Sequence, residues 1–160
     1  MLKYVTRSKY ATPQELYKDP HLEKDDRVML EQTLAVFDMA RSLHGKPLNI
    51  SSGRRSQHYQ DHLVATTERA AKHSPHVKGV ALDILVPDGH DDLWIAQLLA
   101  QAAAALNDDY PAQGYQRPRM GFLKYRHSPT ESAPFIHFDM AFLLCEPGMP
   151  EAWKVPGLIW

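Results

Sequence analysis

With a single cysteine, Cys145, the chain of 160 residues can form neither an internal disulfide nor a multi-cysteine zinc site. Any metal it binds must be held by histidines and carboxylates. Cys145 follows the apolar run Ala141-Phe142-Leu143-Leu144, where a buried, inert thiol is expected rather than a nucleophile. No stretch is apolar for the length of a membrane span, so no membrane insertion is expected. The amino terminus, MLKYVTRSKYATPQELYKDPHLEKDD, also lacks the continuous apolar segment of a secretory signal. The expectation is a chain made in the cytoplasm without a signal peptide. Charge excludes a further class of partner: 18 Lys and Arg nearly balance 19 Asp and Glu, which offers no field for nucleic-acid binding.

What is present suits one compact domain over residues 1–160, with no repeat or linker dividing it. Residues 1–25 read as a charged, proline-punctuated arm with a short helical turn from Thr12 to Tyr17, capped by Thr12 before Pro13. Apolar positions recur with helical spacing from Asp26 to Leu43, and Gly45-Lys46-Pro47 stops them. A short strand is expected at Leu48-Asn49-Ile50-Ser51, and a helix capped by Ser56 through about Lys72. Val80 to Val86 reads as a buried strand. A second strong helix runs from Asp91 to Leu106, with acidic residues at its positive end. Strands follow at Arg119 to Tyr125 and Phe135 to Leu143, able to pair as a hairpin. The tail, residues 146–160, is expected to pack on the domain through its apolar residues.

Histidine occurs nine times and is the commonest zinc ligand. The informative stretch is Ser74-Pro75-His76-Val77-Lys78-Gly79-Val80-Ala81-Leu82-Asp83, followed after about fifty residues by His137-Phe138-Asp139. Gly79 permits the tight bend that would bring His76 and Asp83 to one point. Alternation along a strand puts Ala81 and Asp83 on one face, with Val80, Leu82 and Ile84 in the core. The same period puts His137 and Asp139 together, opposite Ile136, Phe138 and Met140. Two neutral imidazoles and one carboxylate leave zinc a net positive charge and an open position, as in catalytic sites. Such a metal lowers the pKa of bound water to about 7 and polarises a carbonyl, which points to hydrolysis. His58 and His62, four apart on a helix, and His73 are expected on exposed surface.

These residues resemble the zinc D-Ala-D-Ala carboxypeptidase family, whose structural relatives include lysostaphin-type peptidases and the hedgehog domain. The resemblance begins at Tyr10-Ala-Thr-Pro-Gln-Glu-Leu, passes through Leu48-Asn-Ile-Ser-Ser-Gly-Arg-Arg-Ser and ends near Met140. It implies an α+β fold, a small and mainly antiparallel sheet flanked by helices, with a zinc cleft on the open sheet face. It also implies one Zn2+ held by His76, Asp83 and His137. Arg55, in the S-G-x-R-S turn, would lie near substrate and bind a peptide carboxylate or steady an oxyanion. The implied substrate is a peptidoglycan stem peptide or cross-link.

The chain departs from the family at Pro134, where many members carry an acidic residue three positions before the distal histidine. Asp139 is the favoured replacement, either as the base that shuttles the proton or as a partner that orients a ligand histidine. Glu131 and His127 are weaker candidates. The H-x-D ending is similar to a subgroup of murein endopeptidases and small phage-encoded peptidases, so phage-type delivery to the cell wall is one expectation, as a lysis or virion-associated enzyme. A cytoplasmic D-Ala-D-Ala dipeptidase and a non-catalytic zinc domain that binds cell wall or a protein partner are the alternatives. Oligomeric state is not legible.

Overall fold

The computed structural model describes residues 1–67, 70–123 and 134–155. The amino-terminal segment is fastened to the body. Tyr4–Val5 (β1) pairs antiparallel with Met29–Leu30 (β2), and the Glu31 N–H donates to the Lys3 carbonyl. Asp38 receives the Ser8 hydroxyl and the N–H groups of Lys9 and Tyr10. The expected turn is the helix Pro13–Leu16 (α1), closed by a capping box in which Thr12 and Glu15 satisfy each other's backbone N–H.

The long helix Glu31–His44 (α2) begins later than the periodicity from Asp26 suggests. The reason is tertiary: Met29 and Leu30 are drawn into the ladder with β1, and the Leu30 N–H donates to the Gly79 carbonyl at 2.8 Å. Gly45, at φ 73°, ends α2 with its N–H on the Arg41 carbonyl. Ile50–Ser52 (β3) leads to Gln57–Thr66 (α3), capped by Ser56 as expected. Asp19 anchors that start by accepting the N–H and hydroxyl of Ser56. α3 stops short of Lys72. The hydroxyls of Thr66 and Thr67 turn back onto the carbonyls of His62 and Leu63, and Thr67 goes extended.

Ala81–Leu85 (β4) is followed by Asp92–Asp109 (α4), whose N-cap Asp91 accepts the Trp94 N–H at 2.9 Å. Arg119–Leu123 (β5) and Phe135–Asp139 (β6) complete an antiparallel sheet in the order β3-β4-β6-β5. The architecture is α+β, an antiparallel sheet flanked by helices. Leu82, Ile84, Ile136, Phe138 and Met120 from the sheet join Leu34 and Phe37 of α2 and Ile95, Leu99 and Ala102 of α4 in one core.

Two expectations fail at the end of β6. The strand breaks at Asp139, not Leu143, because the Asp139 carboxylate accepts the Ala141 N–H at 2.9 Å and Ala141–Leu143 wind into a 3-10 turn. That turn carries Cys145 out of the core: its backbone is left-handed at φ 49°, and the thiol expected to be buried is exposed. Farther on, Trp153 of the tail is buried in the core. No helix among the described residues is long and apolar enough to cross a membrane.

Gly53 is held to glycine by space rather than conformation. A Cβ there would lie 2.3 Å from the Leu16 carbonyl oxygen and 2.9 Å from Leu16 Cα, and backbone atoms cannot swing aside. Gly53→Ala is therefore expected to destabilise the protein by about 1–3 kcal/mol. A urea unfolding curve checks this, the midpoint moving to lower urea than that of wild type.

Candidate metal centre

The sheet register assembles the site. Asp83 of β4 lies directly across from His137 of β6, and Ser52 of β3 pairs with Asp83 on the other side. One step along the same face, Ala81, Asp139 and Arg119 form a second row across β4, β6 and β5. Gly121, in register with His137, and Ala81, in register with Asp139, keep the rows uncrowded.

His76 reaches this face from outside the sheet. Residues Pro75–Lys78 form a 3-10 turn, capped by the Ser74 hydroxyl on the His76 N–H. Gly79 ends it at φ 69°, and a Cβ there would lie 2.2 Å from Arg54 Nη1 and 2.8 Å from the Val28 oxygen. The bend expected at Gly79 is present, and close packing reinforces it.

His76, Asp83 and His137 each offer one ligand atom, all within 4.8 Å of one another. The three are 2%, 5% and 8% exposed, so their polar atoms must be satisfied inside the protein. His76 Nδ1 lies 2.8 Å from the Gly53 carbonyl, an acceptor only, so Nδ1 carries the proton and Nε2 faces Asp83 Oδ1 at 3.1 Å. His137 uses the opposite nitrogens. Nε2 lies 2.7 Å from Asp139 Oδ2, and Nδ1 faces the same Asp83 Oδ1 at 2.9 Å. Two imidazole lone pairs and a carboxylate oxygen thus converge, an arrangement that repels itself unless a cation, proton or metal, sits among them. The donor set suits a divalent metal ion.

Electrostatics agree. Burial alone would raise the Asp83 carboxyl, but the two imidazoles hold it far below the usual carboxylate range. Burial pushes His76 down, with help from the Arg55 and His137 charges and against Asp83. Burial also opposes charge on His137, yet Asp139 and Asp83 together push it up to about 9. Asp139 is held at about 2, its burial outweighed by His137 and Arg119.

Arg55 lies beside the cluster, with Nη2 3.3 Å from Asp83 Oδ2. Its other anchors are Ser52 Oγ, 3.0 Å from Nε, and Gln60 Oε1, 3.2 Å from Nη1. Asp139 is fully buried and gripped by Arg119, which donates from Nε to Oδ1 at 2.7 Å and from Nη2 to Oδ2 at 2.9 Å. His58, His62 and His73 are exposed, as expected. Glu131 and His127 lie outside the described residues.

Sequence reasoning missed Arg119, Gln60, Ser52 and the Gly53 carbonyl. For Arg119 a signal existed: alternation along Arg119-Met120-Gly121 gives it the same face as Gly121, but only the register sets that face against Asp139.

A profile of the peptidase M15 family matches residues 9–115. The chain belongs to this family. Members are metal-dependent peptidases, and the matched region contains Arg55, His76 and Asp83. It stops before β5 and β6, so His137 and Asp139 join the site through geometry alone. No curated protein matches the sequence. Among solved structures, the crystal structure of Serratia marcescens L-Ala D-Glu endopeptidase ChiX is similar, at 21% identity over 72% of this chain and 82% of that one, with a TM-score of 0.46.

The protonation of this M15 peptidase gives a measurable expectation. With His137 at about 9, metal-free protein carries its imidazolium at pH 7, and ligation through Nδ1 must expel that proton. Calorimetric zinc titration in buffers of different ionisation enthalpy should show about one proton released, and apparent affinity should rise about tenfold per pH unit between pH 6.5 and 8.5. The folded-state value is raised, so the charge stabilises the metal-free fold fully below the unfolded histidine pKa near 6.5. That stabilisation is lost as pH climbs through 9.

Proposed function

We propose that this M15 peptidase hydrolyses a peptide bond in peptidoglycan stem peptides or their cross-links, using one zinc ion held by His76 Nε2, an Asp83 carboxylate oxygen and His137 Nδ1. The observation that carries the reading is the convergence of those three donors, each imidazole fixed in the required tautomer by a hydrogen bond on its far side. Zinc in such a site supplies Lewis acidity toward the scissile carbonyl and activates water for attack. The chain's own groups supply binding and orientation.

Arg55 has five N–H donors, of which Ser52, Gln60 and Asp83 take one each. The remaining two suit a substrate carboxylate or the oxyanion that develops on the attacked carbonyl. The Arg55 backbone N–H also donates to the His76 carbonyl at 3.1 Å, which ties the substrate-binding turn to the first metal ligand.

Asp139 is better placed to orient His137 than to shuttle protons. A base needs a free lone pair near substrate and a pKa near the working pH. Both Asp139 oxygens are engaged, by Arg119, His137 and the Ala141 N–H, and its carboxyl sits at about 2.

Purified muropeptides incubated with zinc-loaded protein and resolved by mass spectrometry test the activity. New hydrolysis products are expected, abolished by a chelator, restored by zinc and absent with His76→Ala. Release of terminal D-Ala would mark a carboxypeptidase, and a split stem or cross-link an endopeptidase. No product under any metal loading would defeat the proposal. Asp139→Asn should weaken zinc binding by about 10–100-fold and regain turnover in excess zinc. Turnover lost with zinc affinity intact would instead make Asp139 the base.

A further inference from the structure

We infer that Arg119 is a positioning residue of the metal centre: by clamping Asp139 it compels His137 to offer Nδ1, with Nε2 tied back, to the metal. The inference rests on the metal-site reading above and extends it one shell outward, to a residue that touches neither metal ligand nor substrate.

The Arg119–Asp139 pair is an odd object to find for stability alone. Arg119 is 3% exposed and Asp139 is 0%. Taking both charges out of water costs about as much as their attraction returns, and apolar residues of similar volume often serve as well. What the pair does supply is direction. The guanidinium meets the carboxylate side-on through two hydrogen bonds, from Nε to Oδ1 and from Nη2 to Oδ2, which fixes the carboxylate plane. Oδ2 is then the oxygen presented to His137 Nε2 at 2.7 Å, while Oδ1 takes the Ala141 N–H. The third edge of the guanidinium is fixed as well, since Nη1 donates to the Ala152 carbonyl of the tail. A relay runs from tail to arginine to aspartate to imidazole, and each member has one orientation.

The register makes the relay rigid. Arg119 lies directly across from Asp139, and His137 is the next residue on that face of β6. Charge matters too. Asp139 without a counter-ion would put a second full anion behind His137 and weaken the positive charge that a zinc–Asp83 pair retains. Arg119 cancels it while leaving Asp139 a strong acceptor. Lysine could cancel the charge but could not hold the carboxylate plane, because an ammonium is a point donor without a planar fork.

The test uses the full chain with zinc. In zinc-loaded wild type, long-range 1H–15N spectra should show His137 protonated at Nε2, with a slowly exchanging proton, and coordinated at Nδ1. The opposite tautomer in wild type would overturn the inference without any variant. Arg119→Lys, the gentler change, should lower zinc affinity by several-fold in chelator competition and speed exchange of the Nε2 proton. Arg119→Met should lower affinity by about 10–100-fold. Added to Asp139→Asn, Arg119→Met should cost no further affinity, because the arginine acts only through that carboxylate. A folded Arg119→Lys protein with wild-type affinity and wild-type exchange would sink the proposal, as would additive losses in the double variant. If wild type itself binds no stoichiometric zinc, the metal-site reading fails. If wild type binds it and the Arg119 variants bind it equally well, only the present inference does.

Discussion

The antiparallel pairing of β4 with β6 is the contact on which everything else rests. It sets Asp83 against His137 and Ala81 against Asp139, and it faces Leu82, Ile84, Ile136 and Phe138 the other way into the core. A slip of β6 by one residue would turn its faces over, pointing the His137 imidazole and the Asp139 carboxylate into hydrocarbon. The hydrophobic pattern therefore enforces the register, and the register builds the polar site. Stability and chemistry share one constraint.

Around that pair, close backbone approaches bring in the remaining groups. Gly53 lets the S-G-R-R-S turn press against Leu16, and its carbonyl then meets the His76 ring. Gly79 lets the turn carrying His76 tuck beside Arg54 and Val28. The two glycines do different jobs, one supplying space and the other a left-handed backbone as well. Both serve to bring a histidine from outside the sheet to within hydrogen-bond distance of a carboxylate inside it.

Burying so many ionisable groups would be costly if any were alone. Here each charge has a counter-charge or a fixed dipole: Arg55 and two imidazoles for Asp83, Arg119 and His137 for Asp139, the Gly53 carbonyl for His76. The network leaves His76 Nε2, His137 Nδ1 and one carboxylate oxygen converging, which is why the peptidase family assignment and the geometry lead to the same reading. The two sources are complementary, because the family match ends at residue 115 and the second half of the site comes from β5 and β6.

The α+β class came with the family resemblance; the sequence by itself determined the caps at Thr12, Ser56 and Asp91, the bend at Gly79, and the candidate ligands His76, Asp83 and His137. These are properties of local spacing and of strand alternation, which need no knowledge of distant neighbours. Tertiary structure decided the late start of α2, the end of β6 at Asp139, the exposure of Cys145 and the engagement of Asp139 by Arg119. The late start of α2 and the engagement of Asp139 depend on partners far away in the chain, β1 and Arg119, while the end of β6 comes from a side-chain bond to the Ala141 N–H that spacing does not announce. The tautomer of each histidine belongs to the same group. It is set by one acceptor, a carbonyl 23 residues from His76 and a carboxylate beside His137 whose own direction comes from another strand.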